Sequence, residues 1–209
     1  MPTVPDTAAA LLALGAATLG EAGGRPMRSR IAHAWPGARV AGPAFPVRCT
    51  PGDNLAIHVG VARAPAGSVV VVDVGIEREL GYWGEVLTTA AEARGIAGLV
   101  IDGGVRDVVA IEAHGFPVFA TCVALKGATK TLPGSVGAGA EVGDVDVQTS
   151  DWVVGDADGV TVVAAAELEG VLSAGRERAE REARLFAELR GGKTTVDVLG
   201  LDPSPVEGA

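Results

Sequence analysis

The chain has 209 residues, 48% of them hydrophobic but only 4% aromatic, and a net charge of −9 with a pI near 4.8. That length fits one domain over residues 1–209, with a core of Val, Ala, Leu and Ile. An acidic chain without a basic cluster argues against nucleic acid and anionic membranes as partners. Its two cysteines, Cys49 and Cys122, lack metal-type spacing and read as buried free thiols in a cytoplasmic protein.

The apolar residues 8–19 have no basic residue before them and are too short to cross a bilayer. They read as a first amphipathic helix capped by Asp6 or Thr7. Short strands are expected at 38–40 and 45–49, and Asp53-Asn54 is placed to cap a helix running to about Ala64. Residues 68–74 are a β-branched run of the kind buried on both faces of a sheet. Gly84-Glu85 opens a helix ending at Gly95, residues 97–101 form the next strand, Asp107 caps a short helix stopping at Gly115, and 117–120 form a third strand. Strand, helix, strand, helix, strand implies parallel pairing. Residues 131–165 read as a separate β-layer of short pieces, with Asp156-Ala-Asp-Gly159 as a hairpin turn rather than a calcium loop. A helix over 167–190, charged in its middle, follows, and the tail from Gly191 to 209 looks weakly ordered.

In a parallel sheet, ligands collect beyond the carboxyl ends of the strands. Glu85 follows one such end, and Arg106-Asp107, in Asp102-Gly-Gly-Val-Arg106-Asp107, follows the next. Oxygen ligands suit Mg²⁺ or Mn²⁺, and Arg106 offers fixed donors to an anionic oxygen. The competing account makes Asp107 a simple helix cap and Arg106 a surface pairing partner. The free N–H groups at Gly84-Glu85-Val86-Leu87 suit a carboxylate or phosphate. Lys126 and Lys130 follow the third strand and either add positive potential there or are solvated surface residues. His33, His58 and His114 look isolated and structural, without a His–carboxylate motif. No Walker loop, GxSxG or dinucleotide fingerprint occurs, which leaves a methyltransferase reading without a nucleotide site.

Gly42-Pro-Ala-Phe45, Pro51-Gly-Asp-Asn54, Val71-Val-Asp-Val-Gly75, Trp83-Gly-Glu-Val-Leu87, Ala93-Arg-Gly-Ile-Ala-Gly98, Ile101-Asp-Gly-Gly-Val-Arg-Asp107, Gly115-Phe-Pro-Val-Phe119 and Trp152-Val-Val-Gly-Asp-Ala-Asp-Gly159 occur in this order. The chain thereby resembles the RraA-like family, with its 4-hydroxy-4-methyl-2-oxoglutarate aldolases and oxaloacetate decarboxylases, over about residues 15–190. The resemblance implies an α/β swivelling β/β/α-type single domain, with a parallel βαβ core, a second β-layer and a C-terminal helix. It also implies a homotrimer with sites between subunits. The metal-dependent members carry an acidic residue, twenty intervening residues and Arg-Asp, here Glu85 and Arg106-Asp107. The non-catalytic branch, which binds and inhibits a ribonuclease, loses that Asp.

The implied reaction cleaves the C–C bond β to the ketone of a small 2-oxo acid and releases pyruvate through its enolate. By the resemblance, Asp107 and waters hold Mg²⁺ or Mn²⁺, Arg106 stabilises the enolate oxygen, and the N–H groups of Val86 and Leu87 hold the carboxylate. Glu85 orients or deprotonates a water on the metal. Gly84, Lys130 and Asn54 complete the substrate site, and Glu182 reaches it from a neighbouring subunit. The chain departs from the family pattern at Glu85, often Asp, at Gln148-Thr-Ser-Asp151, where Pro-Gly-Asp is usual, and at Ala164, where Pro is common. A non-catalytic ribonuclease regulator is the alternative function.

Overall fold

The computed structural model describes residues 3–206. Helix α1 (Val4–Leu14) begins at Thr3, whose hydroxyl accepts from the Asp6 N–H while the Asp6 carboxylate takes the Thr3 N–H. Thr3, rather than Asp6 or Thr7, is therefore the cap, and Asp6 is its partner in a capping box. The single expected helix is broken at Gly15, whose φ of 82° lies in the left-handed region that favours glycine. Helix α2 (Ala16–Glu21) restarts there, its first N–H donating to Asp156 Oδ2 at 2.8 Å.

Two short strands, β1 (Arg25–Pro26) and β2 (Ala32–His33), precede β3 (Val40–Cys49). The two pieces expected at 38–40 and 45–49 are thus one ten-residue strand. Pro43 falls where pairing passes from β12 to β4, so the ladder tolerates it. Next come α3 (Leu55–Arg63), β4 (Val69–Asp73), α4 (Glu85–Ala93), β5 (Gly98–Ile101), β6 (Gly104–Val105), α5 (Val108–His114), β7 (Val118–Ala120) and β8 (Cys122–Val123). The remaining strands are β9 (Gly134–Val136), β10 (Ala140–Val142), β11 (Val145–Val147), β12 (Trp152–Asp156) and β13 (Gly159–Val163). A 3-10 turn (Ala165–Glu167) leads into α6 (Leu168–Arg190), and α7 (Thr195–Leu199) lies in the tail.

The main sheet runs β1-β13-β12-β3-β4-β5-β7-β2, with β9 also on β3. β3, β4, β5 and β7 are parallel, as expected for 68–120, and the parallel unit starts one strand earlier at β3. Alternation within β4 explains why its run is apolar throughout. Val70 and Val72 face α3, α4 and α5, joining Ile57, Val61, Leu87, Ala91 and Ile111. Val69 and Val71 face the β10–β11 hairpin, joining Ala140, Val142, Val145 and Val147. That hairpin is the second β-layer. The β12–β13 hairpin, expected to belong to it, instead extends the main sheet antiparallel to β3. Its outer face carries Trp152, Val154 and Val163 against Leu11, Leu19, Val171 and Leu172 of the terminal helices. The result is a mixed α/β domain with a curled mixed sheet and a C-terminal helix.

Asp102, at the end of β5, ties these layers together rather than lining the site. Its buried carboxylate accepts from Arg30 (3.0 and 2.7 Å), Arg78 (2.8 Å) and the Gly143 N–H (3.2 Å). Burial alone would raise its pKa, but these donors hold it below the usual carboxylate range. Among the described residues, no helix is long and apolar enough to cross a membrane.

A candidate active-site cleft at the strand ends

The loops that follow β3, β4, β5 and β7 at their carboxyl ends are knitted into one layer. Single bridges join Asp53 to Thr129, Gly81 to Gly127 and Trp83 to Val105, and β6 pairs with β8. Between these loops lies a cleft of about 140 Å³. Gly84, Val86, Leu87, Arg106, Asp107, Lys130 and Asn54 all line it. The strand-end rule, and for Asn54 the family resemblance, thus pointed to one place, where ligands are expected in a parallel sheet.

Asp107 has φ 58° and ψ 35°, a left-handed conformation. It precedes α5 but makes no side-chain cap to that helix. Instead its Oδ2 accepts the Glu85 N–H at 3.1 Å, crossing to the start of α4. The expected cap of the following helix is therefore a cap of the preceding one. The turn brings Asp107 back towards the cleft, with Arg106 Nε 3.6 Å from the same oxygen. Both side chains stay wet, at 45% and 41% exposure, and among the described residues Asp107 Oδ1 accepts no hydrogen bond.

The approach is possible because position 84 is glycine. A Cβ there would collide with Asp107 Oδ2 and stand 3.1 Å from Arg106 Cγ. A Cβ at Gly81 would stand 3.1 Å from Arg106 Cδ. The Arg106 N–H donates to the Trp83 carbonyl at 2.9 Å, so backbone and side chain of Arg106 are both held by the 81–84 segment. Trp83 anchors that segment through Nε1 to Thr88 Oγ1 (2.8 Å) and by stacking on Phe116 at 6.0 Å.

The first turn of α4 offers the N–H groups of Val86 and Leu87, which have no intrahelical acceptor. Lys130 reaches the cleft on a loop fastened by Asp53. That carboxylate accepts from Thr129 Oγ1 (2.7 Å) and from the N–H groups of Thr131 (2.6 Å) and Leu132 (3.0 Å). Its other oxygen takes the Leu55 N–H at 2.8 Å, so Asp53 does cap α3, while Asn54 does not. Burial raises the Asp53 pKa, but the Thr131, Leu55, Thr129 and Leu132 donors outweigh it and bring it down to about 2. Lys126 does not line the cleft and contributes its carbonyl to the Gly81 N–H.

Glu85 stands apart from the other expected residues. It is 55% exposed and does not line the cleft; its Oε1 lies 3.7 Å from His114 Nε2. His114 Nδ1 in turn meets Glu92 Oε2 at 2.8 Å. The expectation that His114 forms no His–carboxylate arrangement is thus overturned: three residues from α4 and α5 meet across the helix pair. Glu182 sits on α6 with Arg178 at 2.8 Å and does not line this chain's cleft.

Sequence reasoning missed Gly81, Tyr82, Trp83, Gly127, Ala128 and His58 as cleft residues. Only His58 had a signal, its place one helical turn after Asn54. Cys49 is buried as expected, and burial, with Asp73 nearby, pushes its thiol up to about 12. Cys122 is only partly buried.

Among the described residues, no three His, Cys, Asp or Glu side chains converge on a metal-sized space. The cleft wall presents one carboxylate, Asp107, whose Oδ1 has no partner among the described residues; a single carboxylate suits a hard cation that keeps most of its waters.

The family described as RraA-like, Aldolase/RraA, matches residues 3–162. A protein of Halalkalibacterium halodurans named "Putative 4-hydroxy-4-methyl-2-oxoglutarate aldolase" is 37% identical over 147 residues, 70% of this chain and 70% of that one. The structure of an uncharacterized protein from Pseudomonas syringae pv. tomato superposes with a TM-score of 0.82 at 27% identity, covering 93% of this chain and 92% of the other. The RNA-processing inhibitor RraA from Thermus thermophilis superposes with a TM-score of 0.64 at 25% identity, covering 70% of this chain and 90% of its own. With its fold, its Arg106-Asp107 turn and these likenesses together, the chain belongs to the RraA-like family.

Proposed function

We propose that the protein is a divalent-metal-dependent lyase that cleaves 4-hydroxy-4-methyl-2-oxoglutarate-type 2-oxo acids, and oxaloacetate, to pyruvate. The single observation that carries this reading is the Arg106–Asp107 turn, folded back by a left-handed backbone onto the N-terminus of α4. It gathers a cation, a carboxylate and free N–H groups in one cleft. The names carried by relatives such as the Halalkalibacterium halodurans protein support the substrate class.

The N–H groups of Val86 and Leu87 bind the substrate carboxylate, aided by the positive end of α4. Arg106 points its donors at the keto oxygen. As the C–C bond β to the ketone breaks, its electron pair moves into the C2–C3 bond and the keto oxygen takes on charge. Arg106 stabilises that oxygen as a charge-assisted donor. Asp107, with waters, would hold Mg²⁺ or Mn²⁺, which supplies Lewis-acid stabilisation to the same oxygen. Glu85, outside the cleft wall beside His114 and Glu92, acts only through an intervening water: the alcohol loses its proton as its carbon becomes a carbonyl, or CO2 leaves oxaloacetate, and a proton delivered to C3 of the enolate gives pyruvate. Retro-aldol cleavage and decarboxylation share this enolate, so one site serves both.

The test is a coupled pyruvate assay on the purified chain with oxaloacetate and 4-hydroxy-4-methyl-2-oxoglutarate. Release should require Mg²⁺ or Mn²⁺ and stop after exhaustive chelation; full activity in EDTA removes the metal from the account. A second reading, a non-catalytic regulator of a ribonuclease, draws on the likeness to Thermus thermophilis RraA. Tight ribonuclease binding with no pyruvate release from either acid would favour it.

A further inference from the structure

His114 is the last residue of α5, and its half-buried ring lies between α5 and α4. Each ring nitrogen meets a different carboxylate of α4. Nδ1 lies 2.8 Å from Glu92 Oε2, and Nε2 lies 3.7 Å from Glu85 Oε1. Glu85 and Glu92 stand two helical turns apart on one face of α4, so one imidazole spans them. The shorter contact is a hydrogen bond, and since an ionised carboxylate only accepts, Nδ1 carries the proton. The longer contact exceeds hydrogen-bond length and acts through charge, attracting Glu85 when Nε2 carries the second proton. The C-terminal end of a helix, where His114 sits, favours a cation.

Glu85 needs such a holder. Its side chain is 55% exposed, and a long exposed side chain keeps much of its rotamer freedom. Among the described residues, His114 is the only basic group within 4 Å of its carboxylate. Asp107 holds the other end of the residue, because its Oδ2 accepts the Glu85 N–H at 3.1 Å. Glu85 is thus fixed by its backbone from the cleft side and by its carboxylate from the α5 side. His114 is itself fastened by Glu92, and neither of these two residues lines the cleft. Left loose, the Glu85 carboxylate would spend only part of its time where one water can bridge it to the cleft.

We propose that His114 is a positioning residue, which, fastened to Glu92, holds the Glu85 carboxylate at the edge of the cleft where it acts on the reaction through water. The proposal rests on the lyase reading above and deepens it by naming what supports the proton-moving group. His114 contacts neither Arg106 nor the free N–H groups of α4, so substrate binding does not depend on it. Its loss slows the proton step and lowers kcat, while KM stays. Both acids are affected, because the enolate from each must take a proton at C3.

The experiment is a double-mutant cycle in the full-length chain. It measures kcat and KM for pyruvate release from both acids in wild type, His114→Ala, Glu85→Gln and the double variant, with His114→Lys beside them. His114→Ala should lower kcat by about tenfold, as for a modest misplacement of a catalytic group, and leave KM within about twofold. In the Glu85→Gln background the same substitution should change kcat by less than about twofold, the error of such cycles. His114→Lys keeps a cation beside both carboxylates and should restore most of kcat. An equal fall in both Glu85 backgrounds, the mark of damaged helix packing, would overturn the proposal and leave the lyase reading standing. So would wild-type kcat in His114→Ala, or a His114→Lys variant as slow as His114→Ala. Wild-type protein that releases pyruvate from neither acid would remove the lyase reading and the role of His114 with it.

Discussion

Asp107 adopts a backbone that costs an L-residue about 1–2 kcal/mol, and strain of this kind persists where the surrounding structure over-determines it. Asn tolerates the left-handed region nearly as well. Asp107→Asn should therefore keep its fold, checked by circular dichroism, while losing metal-dependent turnover. Arg106→Ala should lower kcat by roughly 10²–10³, as for loss of one oxyanion donor. Gly84→Ala puts a methyl group where Asp107 Oδ2 now lies. It should displace the Arg106–Asp107 pair and cut kcat by about tenfold or more, comparable to a small misplacement of catalytic groups. Wild-type kcat in Gly84→Ala would show that the close approach is dispensable. The residue types and the strand-end rule were enough to place Arg106, Asp107 and the start of α4 together. They did not reveal that Asp107 caps α4, because the left-handed turn that aims it has no signature in the order of residues. His114 was misread for the same reason: its carboxylate partners lie on another helix, 22 and 29 residues away in the chain.

At the scale of elements, the turn at 148–151 is held by a serine in an unfavourable conformation. Ser150 has φ 74°, at a place where Pro-Gly-Asp is the usual turn in sequences of this kind. Asp151 closes the turn by accepting the Gln148 N–H at 3.0 Å and Arg25 at 3.0 Å. Ser150→Gly should stabilise the protein by about 1 kcal/mol, seen as a higher Tm; a lower Tm would mean that glycine's extra freedom in the unfolded chain outweighs the relief of strain. The Asp53 clamp gives a pH dependence. Its carboxyl pKa is depressed in the fold, to about 2 from an ordinary 3.8. Its stabilising contribution is therefore complete above about pH 4 and is lost as pH falls towards 2. Asp53→Asn should flatten acid unfolding in that window and loosen the loop carrying Lys130, read as faster amide exchange at Thr131 and Leu132. The parallel strands were legible because their runs are apolar on both faces. The two-residue strands β1 and β2 were not, being too short for any period to show, and the helix break at Gly15 was hidden within an apolar stretch.

Across the whole molecule, α6 poses a question of burial. Val171, Leu172 and Gly175 near its start are its buried residues. Further on, Leu185, Phe186 and Leu189 line a groove with Val198 and Leu199 of α7, and Phe186 remains 49% exposed. Val86, Val109 and Leu125, on the loops and helices around the cleft, are also highly exposed. We propose that a neighbouring subunit covers these surfaces in a homotrimer and that Glu182, or a Glu beside it, reaches the adjoining cleft. Sedimentation should give a trimer, and truncation before Ala174 should lower activity. A fully active monomer would refute the assembly without touching the chemistry of the cleft.

The central claim is that the Arg106–Asp107 turn is a metal-dependent lyase site. Its most direct test is the rate of pyruvate release from oxaloacetate during Mg²⁺ titration of chelator-treated wild type and of Asp107→Asn. The account predicts saturable activation of the wild type and none of the folded variant. Equal activation of both, or wild-type turnover indifferent to Mg²⁺, would contradict it.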